Sequence, residues 1–485
     1  MLVEFGASLA GTFQFDDFGM LGDPAVASPS GWWESWRLEQ TRPLTWFTFW
    51  LSYQLSGEQP FGYHAVSLAL HVAVVLLLFD LLERTLTPRA ALFAAAIFAV
   101  HPIQAEAVNY IFARGTLLAA LFSVLAARSW ILDRPWVATA WFAVAMLAKE
   151  ECVALPVLLA LADWSRGRRF KGAPLGAMCG IALALGLRVI WAASAVNGSQ
   201  AGSQAGISPF AYFLVQGLAI WRYLRMLIVP RGFTVDVEIA SRTAWVGALG
   251  WLALVGCAAA TRRFVGFWAI GGLLLLLPSS SIFPAADLAA DRRMYLPMLA
   301  LCAAAGFLAG RVDRRWAAAV VILLAAISLR YTLIWRSPEA LWSEAAMRAP
   351  SKVRPRLQLA RAVERAGDPV RALGVLEQAR RMAPEDASLV SEQGRILLEL
   401  GRADEALASF GKALALDPTD ARAMNNRGAA LLALGQREAA REDFERALGR
   451  DGCLFDARLN LARMGVTTVA HGCRYTPRQR LALGE

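Results

Sequence analysis

Apolar stretches close to 20 residues long recur between residues 63 and 334, and nothing else in the chain limits its fold as strongly. A hydrocarbon core of roughly 30 Å offers backbone N–H and C=O groups no partner. A segment inside it must satisfy its own hydrogen bonds, as a helix of about 20 residues does. The sequence predicts spans near 63–82, 90–108, 113–131, 173–194, 244–260, 264–278, 294–310 and 316–334. Two shorter stretches, 136–148 and 151–163, meet at Lys149, Glu150 and Glu151 and read as a helix pair around a polar cavity, which brings the crossings to ten.

Charge sets the orientation. If 211–229, which Arg222 and Arg225 interrupt, lies along the interface or re-enters rather than crosses, the loops 83–89, 128–134, 165–172, 261–263 and 311–315 share one side. All of them are basic, carrying Arg84, Arg89, Arg128, Arg134, Arg166, Arg168, Arg169, Lys171, Arg262, Arg263, Arg311, Arg314 and Arg315. The positive-inside rule makes that side cytoplasmic, so a long loop 14–60 and the chain after residue 335 fall outside. Only 15 residues precede Asp16, which is short for a first span, and they show neither the basic leader nor the cleavage site of a signal peptide. High Ala and Arg usage points to a GC-rich bacterium, and so to an inner membrane.

The composition changes near residue 335. Residues 1–335 hold 25 Lys/Arg and 19 Asp/Glu, and the far shorter 336–485 holds 24 and 20, so the tail has the surface of a soluble domain. Its net +4 is too diffuse for a nucleic-acid surface, and no nucleic-acid partner is expected. Within the tail, Pro350, Pro384 and Pro418 recur every 34 residues. Gly367, Gly401 and Gly435, then Ala372, Ala406 and Ala440, then Leu376, Phe410 and Phe444, then Ala379, Ala413 and Ala447 keep the same offsets. That period, with small residues where paired helices approach and an aromatic between them, resembles the tetratricopeptide repeat. The expected organisation is an all-α chain: a polytopic membrane bundle over 1–335, then a solenoid over 336–485. The solenoid comprises a half repeat at 338–350, repeats at 353–386, 387–420 and 421–452, and a capping helix and tail at 455–485. Such an array either binds a protein or peptide in its groove or braces the membrane part. Cys453 and Cys473 pair if the tail lies in an oxidising compartment and stay free otherwise.

Ionisable groups inside or at the ends of spans are costly and read by default as functional. Four clusters fall on the outer side: Asp16 and Asp17 with Arg42; His101, Glu106 and Arg114; Lys149, Glu150 and Glu151; and Asp291, Arg292, Arg293 and Tyr295. Together they describe one polar cavity with paired carboxylates, cationic donors and an imidazole. His64 and His71, two helical turns apart, read as a packed helix face, and Trp32, Trp33 and Trp36 as an interfacial helix.

The order of these segments carries a resemblance. Arg42-Pro43-Leu44-Thr45, then His64 and His71, then FAVHPIQAEAVNYIFARGTLLAALF at 98–122, AKEECVALPVLLALAD at 148–163 and DRRMYLP at 291–297, followed by the repeats, resemble the transmembrane and tetratricopeptide-repeat protein family. Its animal members are O-mannosyltransferases, and its membrane part is of the GT-C glycosyltransferase class. The resemblance covers about residues 13–452 and implies transfer of a sugar, mannose in the animal members, from a polyprenyl-phosphate donor to protein Ser/Thr hydroxyls on the non-cytoplasmic side. An acidic residue of the first outer loop is catalytic in that class, and Asp16 and Asp17 occupy the matching positions. The departure from the family's pattern is upstream of them, where the first span is largely missing.

On this reading Asp16 or Asp17 is the general base, or the pair is a divalent-metal site. Lys149, Arg292 and Arg293 take the donor phosphate, and Arg42, His101, Glu106, Arg114, Glu150 and Tyr295 line the cavity. Two other classes stay open, a catalytically inactive membrane scaffold and a lipid flippase or transporter.

Overall fold

The computed structural model describes the chain apart from residues 1, 35, 37–39, 196–201, 203, 204, 240–243, 261, 262, 286, 469–472, 474, 476, 484 and 485. Arg262 of the inner loops lies outside the described residues. The chain forms two compact units, one of Met1–Leu21 with Ser28–Ser337 and one of Gly22–Ala27 with Pro338–Glu485. The division between the units falls between Ser337 and Pro338. The segment 22–27, expected in the outer loop, is grouped with the repeats instead.

Every extended regular element described in the first unit is helical. Among the described residues, four helices are long and apolar enough to cross a membrane: Pro60–Glu83, Ile111–Ile131, Gly172–Ala195 and Arg314–Trp335. A fifth crossing exists if Pro88–Val100 and Pro102–Asn109 count as one span bent by 47°. By length and composition this falls short of the ten crossings expected, because apolar runs are divided among shorter helices such as Pro135–Ala148 and Leu155–Ser165. The bend has a local cause. Pro102 has no N–H to continue the ladder, and His101 Nδ1 accepts the Ile103 N–H at 3.1 Å in place of a backbone carbonyl.

Four of the basic loops, 83–89, 128–134, 165–172 and 311–315, meet at one end of this unit. Arg89 donates to the Val312 carbonyl, Arg84 and Arg128 share Asp80 at 2.9 and 2.6 Å, and Lys171 donates to the Trp130 carbonyl at 3.2 Å. The helix Pro209–Ile228 runs alongside the 279–291 segment. In turn its Tyr212, Gln216, Arg222 and Tyr223 side chains bond Ser279, Leu288, Asp291 and Ala290. On another face the same helix packs closely along Ala244–Ala260, with the Trp221 indole donating to the Gly250 carbonyl and the Trp251 indole to the Phe213 carbonyl.

In the second unit, helix pairs Val353–Arg365 with Pro369–Met382, Ala387–Glu399 with Ala403–Leu416, and Ala421–Ala433 with Arg437–Arg450 realise the 34-residue period. Pro338–Arg348 packs before them and Phe455–Arg463 after. Gly367, Gly401 and Gly435 turn each pair at φ of +90°, +75° and +77°. The aromatic offset has a partner that sequence reasoning overlooked: Phe410 and Phe444 fill the space left by Gly394 and Gly428, where a Cβ would come within 2.8 and 2.7 Å of the rings. In the first repeat the shorter Leu376 allows Ala360 at that place. Cys453 and Cys473 form a disulfide that ties the tail to the last repeat.

Candidate active site

At the end of the bundle away from the basic loops, the chain after Gly11 turns through Phe15 at a φ of +46°, a conformation that costs a non-glycine residue of order 1–3 kcal/mol. The turn separates the two acids that sequence alone left equivalent. Asp17 is fully buried, and its two oxygens accept the backbone N–H groups of Gln14 and Phe112, each at 2.9 Å. Burial pushes its carboxyl up from 3.8 to about 8, against the pull of those two N–H groups and with a further push from Asp16. Asp16 is exposed and accepts the Tyr110 hydroxyl at 2.7 Å. Asp17 is therefore the brace of the turn, and Asp16 the carboxylate free to meet a reactant.

Each Asp17 oxygen accepts one backbone N–H, so within the pair Asp16 is the carboxylate exposed to a reactant or an ion. Among the described residues no group of three or more His, Cys, Asp or Glu could hold an ion.

Tyr110 is the residue the sequence reading missed. It is buried, its ring stacks on Trp335 at 5.9 Å, and Phe15 meets it edge-on at 5.3 Å. Burial and the neighbouring Asp16 charge hold its phenol well above the ordinary range, so it remains a donor to Asp16. The only sequence cue was its place in NYIFAR, between the broken span and the next helix. Gln14 donates to the Trp335 carbonyl at 3.3 Å, so the last helix of the unit ends beside this turn.

Three cations share the electrostatic field of the site. Arg292 lies over the Tyr110 ring at 5.9 Å, and Glu106 accepts both its backbone N–H, at 3.0 Å, and its guanidinium. Arg42 forks onto Glu150, with Nε donating to Oε2 at 3.1 Å. Lys149 is buried between Glu151 at 2.6 Å and the Thr116 hydroxyl at 2.7 Å. Burial opposes each charge. For Arg42 and Arg292 the carboxylate partners outweigh it and raise the pKa, whereas for Lys149 burial wins and lowers it. Glu150 is held down to about 2, because Arg42 overcomes its burial. Arg42 and Lys149 each feel the charge of Arg292, which joins the three clusters into one field. Gly115 permits this assembly: a Cβ there would stand 3.0 Å from Thr45 Oγ1 and 3.2 Å from the Ala148 carbonyl, the two atoms whose 2.8 Å bond places Arg42 beside Lys149.

The other expected site residues do different work. Arg293 is buried and spends its fork on the Tyr212 hydroxyl and the carbonyls of Asp287 and Leu288, so it locks its own loop instead of facing a phosphate. Arg114 is fully buried over the Phe49 ring and donates to the Thr48 and Tyr63 carbonyls and to Ser52, which ties helices together rather than lining a cavity. His101 caps the helix break and shares a 3.4 Å hydrogen bond with the Leu227 carbonyl. Tyr295 is buried with its hydroxyl 2.7 Å from His71 Nδ1, so neither ring opens to the site. His64 and His71 are both buried on one face of the helix Pro60–Glu83. All of these residues are polar groups near span ends, and polarity alone does not separate a lining group from a structural one.

Residues 40–192 match the family described as Dolichyl-phosphate-mannose-protein mannosyltransferase, and residues 394–435 and 421–452 match tetratricopeptide-repeat families. The chain has the layout of the transmembrane and tetratricopeptide-repeat family. It is 33% identical over 205 residues to the human Protein O-mannosyl-transferase TMTC4, covering 33% of this chain and 28% of that protein. It is 25% identical over 401 residues to the Caenorhabditis elegans Protein O-mannosyl-transferase F38B6.6, covering 73% of this chain and 57% of that protein. The matched region thus spans just over half of the worm relative's length and less than a third of the human one's. The mannosyltransferase match contains Arg42, Glu106, Tyr110, Lys149 and Glu150, and Asp16 and Arg292 lie to either side of it.

Proposed function

We propose that the protein is an integral membrane glycosyltransferase that moves a sugar, mannose by analogy with its named relatives, from a polyprenyl-phosphate donor to protein Ser/Thr hydroxyls on the non-cytoplasmic side. The observation that carries this reading is the exposed Asp16 carboxylate, oriented by Tyr110, in one field with Arg42, Lys149 and Arg292.

Transfer forms a bond from the acceptor oxygen to the sugar's anomeric carbon and breaks the bond from that carbon to the phosphate oxygen. Asp16 takes the hydroxyl proton as the oxygen attacks. Negative charge grows on the departing polyprenyl phosphate, and Arg42 and Arg292, the two site cations with partly exposed guanidinium groups, receive it while Lys149 adds its charge from behind. Tyr110 holds Asp16 and is a positioning residue.

Two observations support this choice of side. The basic loops gather at the opposite end of the bundle, as cytoplasmic loops would. The tail carries a disulfide, which persists in oxidising compartments. The repeats suit a protein acceptor, because arrays of this kind present concave faces to partners.

The test is transfer in proteoliposomes loaded with lipid-linked mannose and a Ser/Thr-rich peptide. Wild-type protein should give a mannosylated peptide and Asp16→Asn should not. A wild-type protein that binds peptide and gives no product would sink the enzyme reading in favour of a scaffold.

A further inference from the structure

The chain leaves the membrane unit for the repeat unit at Leu21–Gly22 and again at Ser337–Pro338. Both departures lie close in sequence to groups that hold or present Asp16. Asp16–Leu21 is one helix of six residues, so the acid opens the helix whose end is the first departure. Just beyond it Ala25 and Val26, which belong to the repeat unit, are buried. At the second departure Trp335 ends the helix Arg314–Trp335, and only Arg336 and Ser337 separate it from Pro338.

Trp335 meets the turn that presents the acid in three ways. Its ring stacks on Tyr110 at 5.9 Å and lies 6.1 Å from the Phe15 ring, both within the roughly 4.5–7 Å of favourable ring pairs, and its carbonyl accepts the Gln14 side-chain amide at 3.3 Å. One helical turn earlier the Thr332 hydroxyl accepts the Asn109 amide at 3.2 Å, so the same helix grips both Asn109 and Tyr110. Tyr110 in turn donates to Asp16, and Phe15 carries the positive φ of the turn. The connection to the repeats is short and stiff. The Arg336 and Ser337 N–H groups bond back to the Leu333 and Ile334 carbonyls at 3.3 and 3.4 Å, the connection holds no glycine, and Pro338 restricts the residue before it. A displacement of the repeats is therefore passed to the Trp335 ring, whereas a Gly/Ser linker would absorb it.

We propose that Trp335 is a positioning residue that makes the placement of Asp16 depend on the repeat unit, so that the array suited to a protein acceptor also sets the base. The inference rests on reading Asp16 as that base. Trp335 touches no reactant; it acts through Tyr110 and Phe15, while the segment after Gly22 holds the other end of the turn. A misplacement of about 1 Å costs a reacting group on the order of 100-fold in rate, so a shift of one stacked ring is enough for such control.

The test uses the full chain in proteoliposomes, read by initial rates with lipid-linked mannose and a Ser/Thr-rich peptide, and by amide hydrogen exchange over residues 13–18. Trp335→Ala should lower kcat roughly two- to tenfold with peptide KM unchanged, the factor that loss of one ring pair supplies, and Trp335→Phe should restore most of it. A Gly-Ser-Gly-Ser insert between Ser337 and Pro338, which deletes no side chain, should lower kcat by a similar factor. In both variants exchange should quicken at 13–18 while the rest of the bundle exchanges as in wild type. The proposal is overturned if the insert raises peptide KM alone, as repeats that only deliver the acceptor would, or if exchange at 13–18 is unchanged in the insert variant. Exchange needs no turnover. Should the wild type transfer no sugar, the transferase reading falls, and exchange still decides whether the repeats set the turn. The insert replaces no buried residue, so it decides the matter even if Trp335→Ala fails to fold.

Discussion

Asp16 and Asp17 are neighbours of the same type, yet their removal should have opposite consequences. Asp17→Ala deletes the acceptor of the Gln14 and Phe112 N–H groups. Each buried donor left without a partner costs about 1–3 kcal/mol, so the change should destabilise the protein by about 2–6 kcal/mol and let the turn that presents Asp16 relax. Asp16→Asn removes no buried contact and only weakens the bond from Tyr110, so stability should change by about 1 kcal/mol or less. The same substitution removes the base, worth about 100- to 10,000-fold in rate. The assay pairs thermal unfolding in detergent with single-turnover transfer to a peptide in proteoliposomes.

Linkage supplies a further check on Asp17. Its folded carboxyl sits near 8 against 3.8 in the unfolded chain, so its contribution to stability is full below about pH 4 and is lost as pH rises through about 8. Asp17→Asn should flatten that decline. The reasoning fails if Asp17→Ala unfolds at the wild-type temperature, or if Asp16→Asn transfers sugar at the wild-type rate.

Tyr110→Phe removes the hydroxyl that holds Asp16 and should lower kcat about tenfold while leaving peptide KM unchanged, measured by initial rates. Arg42→Ala should raise the donor KM and also cost stability, because it strips Glu150 of its guanidinium; charge without the fork, as in Arg42→Lys, should recover only part of the affinity in a donor titration. In the repeats, Gly428→Ala drives a Cβ to 2.7 Å from the Phe444 ring and should destabilise by about 1–3 kcal/mol, whereas Gly411→Ala meets nothing within 4 Å and should gain up to about 1 kcal/mol, both by denaturant melts of the full chain. Reduction of the Cys453–Cys473 bridge, or Cys453→Ser, closes a loop no longer and should cost roughly 3 kcal/mol, read as a Tm drop that appears only with reductant in the parent.

Periodicity and composition were enough to read much of this molecule before any coordinate. The 34-residue offsets of Gly, Ala and Phe name the repeats because each repeat is a local unit, packed mainly against its neighbours in sequence. The apolar runs name a membrane bundle, and the one-sided basic loops predict its orientation, because lipid and translocation act on segments one at a time. What sequence could not rank was which polar residue near a span end faces a reactant. That depends on contacts between residues far apart in the chain: Tyr110 to Asp16, Arg292 to Glu106, Arg42 to Glu150. The same long-range packing buried Arg114, Arg293, His101 and Tyr295 as ties between helices, although each looked as functional as its neighbours. Hydropathy reports whether a residue is welcome in lipid and carries no information on whether its hydrogen bonds are already spent; Asp16 and Asp17, adjacent and identical in type, were separated only by which backbone N–H groups the folded chain brings to them.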